Sequence, residues 1–218
     1  MPLALFDLDN TLLAGDSDYL WSLFLVEQGI VDSKIHEREN QRFYDQYLEG
    51  CLDIDEFLQF QLKPLGDHPR IDLERWRAQF IKTKISPIML PSAVKLIENH
   101  RKNGDTLLII TATNRFITGP IANLLGIDHL LATEPEIIDG EYTGAATGTP
   151  CFQEGKVAQL NDWLYRHNES LSGSWFYSDS HNDIPLLEIV ENPVAVDPDS
   201  KLKAFAQQKN WQIISLRE

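Results

Sequence analysis

Three short apolar runs in this chain each break abruptly into hydroxyl or carboxylate residues, and that repeated break limits its possible folds more than any other feature. Leu3-Ala4-Leu5-Phe6 gives way to Asp7-Leu8-Asp9-Asn10-Thr11, Thr106-Leu107-Leu108-Ile109-Ile110 to Thr111-Ala112-Thr113-Asn114, and Trp175-Phe176-Tyr177 to Ser178-Asp179-Ser180-His181-Asn182-Asp183. A short unbroken apolar run reads as a strand buried on both faces, as in parallel sheets. Ligands of open α/β sheets bind at the carboxyl ends of the strands. The three polar clusters are therefore expected along one sheet edge, with Asp7 and Asp9 in a shared crevice. Taken singly, each signal also has a plain structural reading: Asp7-Leu8-Asp9 fits an Asp/Asn-rich turn and Thr111 fits a helix cap.

Between the first two clusters the pattern is helical. Asp16-Ser17-Asp18 offers caps for a helix that stops at Gly29, a second helix runs from Ser33 to Leu48, a third is capped by Asp53 and ends before Pro64, and a fourth spans Asp72 to about Ile85. Four helices in succession suggest a small helical domain at 16–86 inserted into an α/β core made of 1–15 and 87–218. Helix and strand alternate after Pro91, with a hairpin expected around Asp139-Gly140. Repeated βα units of this kind imply a mostly parallel, Rossmann-like sheet covered on both faces.

A formal charge of −14, with no cluster of Lys and Arg, argues against nucleic acid and anionic membranes as partners. Any phosphorylated substrate would need its charge compensated locally. Cys51 and Cys151 have no metal-ligand spacing and are expected as reduced, buried thiols. No run reaches the length of a membrane span and the N-terminus lacks signal-peptide features, so a cytoplasmic location is expected. Carboxylates gathered without compensation would resist ionisation. A divalent cation removes that conflict, and oxygen-only donors point to Mg²⁺.

Four motifs in order, DLDNT at Asp7–Thr11, Thr111 closing an apolar strand, Lys156 ahead of a helix and SDSHND ending at Asp183, resemble those of the haloacid dehalogenase superfamily. The helical insertion resembles a type I cap, in the branch that includes phosphoserine phosphatase and bacterial histidinol-phosphate phosphatases. The resemblance implies a small phosphorylated metabolite as substrate and Asp7 as a nucleophile that forms an aspartyl-phosphate. It implies Asp9 as general acid and base, and Mg²⁺ held by Asp7, the Asp9 carbonyl and Asp179 with Asp183 in support. Thr111, the Ala112 N–H, Lys156 and Asn182 would hold phosphoryl oxygens, with Thr113 and Asn114 in the same pocket wall. Dehalogenases of the superfamily lack the acid two residues after the nucleophile, so Asp9 favours phosphate esters. Thr-Ala-Thr-Asn stands where phosphoserine phosphatases usually carry Ser-Gly-Gly, and Ser178 replaces the usual Gly of the fourth motif. The bulkier wall weighs against phosphoserine as the substrate.

Asp16, nine residues past Asp7, occupies the place of an acid that reaches the substrate ammonium in amine-binding phosphatases of this branch, which suggests an amino-bearing ester such as histidinol phosphate. It fits a helix N-cap equally well. Arg115 either faces the pocket or sits solvated in a first helical turn. Arg42, Phe43, Tyr44 and Tyr47 fit a lid or ordinary packing. His36, His68, His100, His129 and His167 lack paired spacing and are expected at the surface, while His181 fits either a site or a structural role. The alternatives are a phosphoserine phosphatase, a phosphotransferase or mutase using the same nucleophile, and a non-catalytic sensor of a phosphorylated metabolite. The sequence is silent on oligomeric state.

Overall fold

A computed structural model describes residues 1–217. Seven strands form one sheet in the order β4-β3-β2-β1-β5-β6-β7. They are β1 (Leu3–Phe6), β2 (Thr106–Asn114), β3 (His129–Ile138), β4 (Glu141–Thr147), β5 (Trp175–Ser178), β6 (Asn192–Val196) and β7 (Gln212–Ile214). Every pairing is parallel except the β3–β4 hairpin. β1 is central: Leu5 pairs with Leu108 on one side and Phe176 on the other. Strand order reverses there, and the crevice beyond β1, β2 and β5 is where such sheets bind ligands.

The two-residue period of β1 explains why its run is unbroken. Ala4 and Phe6 enter one apolar cluster with Ile109, Tyr177 and the helical insertion, while Leu3 and Leu5 enter another with Leu108, Phe176 and Leu202. Both faces are covered, so each β1 side chain is buried.

The insertion contains α1 (Ser17–Glu27), α2 (Ser33–Glu49), α3 (Ile54–Asp67) and α4 (Arg70–Phe80), the last leading into a π-helical turn at Ile81–Ile85. α5 (Pro91–Asn103), α6 (Arg115–Leu125), α7 (Glu154–His167), α8 (Ile184–Leu187) and α9 (Ser200–Lys209) complete the βα series. Trp21, Phe24, Leu62 and Phe80 from α1, α3 and α4 share the cluster of Phe6. α2 lies apart from that cluster, burying Phe43 with His36 and Asn40.

Several local expectations are corrected. α3 continues through Pro64, because Leu62, Pro64 and Leu65 are buried and tertiary packing outweighs the lost N–H. β2 runs on to Asn114, with an irregular register against β3 after Ile110. Neither His36 nor His100 is at the surface: His36 is buried beside Ser22, and His100 lies between Asp105 and the Tyr177 hydroxyl. Of the two thiols Cys151 is buried but Cys51 is exposed, just past the end of α2.

Candidate active site

Asp7 follows β1 directly, and its N–H donates to the Tyr177 carbonyl at 2.9 Å, so the ladder with β5 fixes its place. Lys156, in the first turn of α7, brings Nζ to 2.8 Å from Asp7 Oδ1 and 2.8 Å from Asp183. All three residues are buried. Burial lifts Asp7 to about 7 although Lys156 pulls the other way. Burial also opposes charge on Lys156, but Asp183 and Asp7 overcome it and hold the ammonium above its ordinary value. The lysine therefore stays protonated.

The Thr11 hydroxyl is 3.2 Å from Asp7 Oδ2 and 3.2 Å from Asp179 Oδ1, and it accepts the Asp179 N–H at 3.0 Å. One hydroxyl proton cannot serve both carboxylates. Asp179 is raised well above the carboxylate range, first by burial and then by Asp7 and Asp183. Acids outnumber lysines here, and an oxygen-seeking cation between Asp7 and Asp179 fits that surplus. Among the described residues no three His, Cys, Asp or Glu side chains converge as a metal cluster. A cation would thus rest on these two carboxylates and main-chain or solvent oxygen.

The other two acids are differently committed. Asp9 Oδ1 accepts the Ser17 N–H at 2.6 Å and Oδ2 accepts the Thr113 hydroxyl at 2.7 Å. Burial, followed by Asp16, raises Asp9 to about 6. Asp183 takes Lys156 and the Ser178 hydroxyl, the latter at 2.7 Å. It holds the lysine in place.

Thr111, buried at the end of β2, accepts the Thr113 N–H at 3.2 Å. Asn182 Oδ1 accepts from Gln153 at 2.9 Å, which orients its amide and leaves Nδ2 with two long contacts, to Tyr47 O and Ser180 Oγ, at 3.5 and 3.4 Å. Ala112, Thr113, Asn182 and Asp16 all line one cleft with Asp7 and Lys156. Asp16 also caps α1, its Oδ1 accepting the N–H groups of Asp18 and Tyr19 at 2.9 Å. Arg115 is directed elsewhere, with Nε 2.5 Å from Glu134 and a terminal nitrogen 2.7 Å from the Leu130 carbonyl. Asn114 caps α6 through Ile117 N–H and does not line the cleft.

α2 roofs the cleft with Phe43, Tyr44 and Tyr47. Arg42 turns outward to Glu39 and Glu56. Tyr47 donates to Ser180 at 2.6 Å, tying α2 to the loop after β5. His181 pairs with Asp199 at 2.7 Å, and its Nε2 is buried beside Gly50 without a partner among the described residues. Sequence reading passed over Thr11, Gln153 and Asp18 as site residues. Thr11 had a signal in its place within the first polar cluster, whereas Gln153 and Asp18 had none beyond their neighbours.

Fold and cleft together define an α/β protein with buried acids and a lysine gathered at the carboxyl edge of a parallel sheet, beneath a helical roof. Residues 4–188 match the haloacid dehalogenase-like hydrolases, and the chain belongs to that family. It is a phosphoric monoester hydrolase. The chain is 42% identical over 219 residues to a histidinol-phosphatase of Neisseria meningitidis serogroup C (strain 8013), covering 99% of each. A solved protein of unknown function from Bordetella pertussis Tohama I is 43% identical with a TM-score of 0.93, over 99% of this chain and 98% of that one. A phosphoserine phosphatase solved as an analogue of its phospho-aspartyl intermediate shares the fold at 20% identity and a TM-score of 0.73, over 100% and 93% of the two chains.

Proposed function

We propose that the chain hydrolyses a small, amino-bearing phosphomonoester such as histidinol phosphate, with Mg²⁺ and through a phosphorylated Asp7. The observation that carries this reading is the buried Lys156 held 2.8 Å from Asp7, facing the cleft that α2 covers. The 42% identity to a histidinol-phosphatase over nearly the whole chain supports the substrate class.

In this reading Asp7 attacks phosphorus, and the bond from phosphorus to the ester oxygen breaks. Asp9 gives its proton to the departing alkoxide. Asp9 then takes a proton from water as that water attacks the phosphoryl group, releasing inorganic phosphate and restoring Asp7. An acid at about 6 can be protonated for the first step and ionised for the second near neutral pH. Thr111, the Ala112 N–H, Lys156 and Asn182 hold the phosphoryl oxygens. The carboxylates of Asp7 and Asp179 with the Asp9 carbonyl would hold Mg²⁺, which when bound neutralises charge on the phosphoryl group.

Residues 16–86 serve as the cap and the remainder as the catalytic core. Among the described residues no helix is long and apolar enough to cross a membrane, and the cytoplasm is the proposed location. The reading is tested by phosphate release from histidinol phosphate, phosphoserine and sugar phosphates with Mg²⁺ and with a chelator. Turnover that needs Mg²⁺ and vanishes in Asp7→Asn is expected, and undiminished turnover in Asp7→Asn would overturn it.

A further inference from the structure

The cleft has two chemically different halves. Around Asp7 stand the phosphoryl-binding groups, and beyond them lie Asp16, Asp18, Asn40 and Gln61 among the rings of Phe43 and Phe57. Lys156 is the one Lys, Arg or His among the described residues lining it, and its ammonium is already engaged by Asp7 and Asp183. The far half therefore offers carboxylates, amides and ring faces, and no cation.

Asp18 is the unexplained member of this set. It is only 7% exposed. The one hydrogen bond to its carboxylate among the described residues is a 3.5 Å contact from Asn114 Nδ2 to Oδ1, at the outer limit of such a bond. Burial, then the charges of Asp16 and Asp9, push its carboxyl well above the usual range. A buried acid with so little protein compensation either takes up a proton or is ionised beside a positive charge supplied from outside the protein. Helix capping does not require it, because Asp16 already caps α1.

The amides beside it are set by a hydrogen-bonded chain that leads into the interior. Gln61 Nε2 donates to Asn40 Oδ1 at 3.4 Å, Asn40 Nδ2 donates to Ser22 Oγ at 2.8 Å, and Ser22 Oγ meets His36 Nδ1 at 2.9 Å. Ser22 Oγ accepts from Asn40 and pairs with His36, whose pKa is lowered by burial, the His36 tautomer setting which of the two donates. Gln61 thus has its carbonyl oxygen free of this chain, as a further acceptor at the cleft.

We infer that Asp18 determines specificity: it shares the substrate's ammonium with Asp16, and this half of the cleft rejects a leaving group that carries a carboxylate. The inference rests on the phosphatase reading above and names the residue that chooses among phosphate esters. A carboxylate placed here would face two acids without a counter-ion, whereas an ammonium would satisfy both.

The test compares three esters in wild type, Asp18→Asn and Asp18→Glu: phosphoethanolamine, its carboxylated counterpart phosphoserine, and ethyl phosphate, which lacks the amine. Wild type is expected to prefer phosphoethanolamine to both others. In Asp18→Asn the preference for phosphoethanolamine over ethyl phosphate should fall by roughly tenfold or more, through KM, as for a lost charge-assisted hydrogen bond. Ethyl phosphate turnover should fall far less than phosphoethanolamine turnover, and Asp18→Glu should restore part of the preference. An equal loss on all three esters would mark Asp18 as merely structural, and an unchanged preference would show that it does not meet the amine. Either result overturns the inference while leaving the phosphatase reading intact, since that reading fails on other results: no hydrolysis of the broader panel by wild type, or undiminished turnover in Asp7→Asn.

Discussion

Lys156 Nζ lies 2.8 Å from Asp7 Oδ1 across 149 positions of sequence, and the same nitrogen lies 2.8 Å from Asp183. One cation therefore serves two buried acids from different strand ends. Replacing it by methionine keeps most of the volume and removes the charge. Lys156→Met is expected to abolish measurable turnover and to cost about 3–5 kcal/mol of stability near neutral pH, as for one partner removed from a buried ion pair. Urea unfolding at pH 8 and pH 5 measures this, with the smaller loss at pH 5, where the stranded acids take up protons.

Asp9 is held by Ser17 and Thr113 at the cleft, and the proposed reaction has it protonate the departing alkoxide. Its value should depend on how badly the leaving group needs that proton. Asp9→Asn is expected to slow alkyl phosphates by ~10²–10⁴-fold, the usual range for a general acid. It should slow the initial burst of nitrophenolate from p-nitrophenyl phosphate far less, because nitrophenolate leaves unaided, while the later hydrolysis of phospho-Asp7 slows for both esters. Equal losses in the first, alcohol-releasing step of the two esters would remove Asp9 from the acid role.

Burial raises Asp7 to about 7 and Asp9 to about 6 from the ordinary 3.8. Between these values the folded protein binds more protons than the unfolded chain, so stability is present at low pH and is lost as pH rises. The cation-free protein should therefore melt at a lower temperature at pH 8 than at pH 5. Added Mg²⁺ should raise the melting temperature more at pH 8, where the acids it would neutralise are ionised. Calorimetry with and without chelator decides this, and equal Mg²⁺ effects at both pH values would contradict it.

Gly66 in α3 and Gly119 in α6 separate helix propensity from space. A Cβ on Gly66 would stand 2.5 Å from the backbone oxygen of Thr143 on β4, whereas one on Gly119 would meet only Arg115 Cγ at 4.0 Å. Alanine gains about 1 kcal/mol over glycine inside a helix, but overpacking against fixed backbone costs about 1–3 kcal/mol. Gly66→Ala should thus lower the melting temperature and Gly119→Ala should raise it.

The parallel sheet was legible because β1, β2 and β5 are buried on both faces, which writes unbroken apolar runs into the sequence. Their polar endings marked the cleft for a different reason: Asp7, Thr111 and Ser178 are as buried as the runs they end, and buried polar groups gather where they have partners to meet. Residues oriented by partners distant in sequence were harder to read. Arg115 could be placed only by knowing that β3 sets Glu134 beside it, and His100 only by knowing that Tyr177 and Asp105 enclose it. Asp18 carried the appearance of a first-turn acid, a role that sequence alone cannot distinguish from lining a cleft. The end expected for α3 at Pro64 failed because local propensity yielded to burial against β4.

In the proposed reaction Asp7 itself carries the phosphoryl group. Quenching the enzyme during steady turnover and reducing it with borohydride converts an acyl phosphate to an alcohol, which peptide mass spectrometry can locate. A homoserine-mass residue at position 7, absent without substrate, is the expected result. An unmodified Asp7 in enzyme quenched while releasing phosphate, with the reduced residue found elsewhere, would contradict the account.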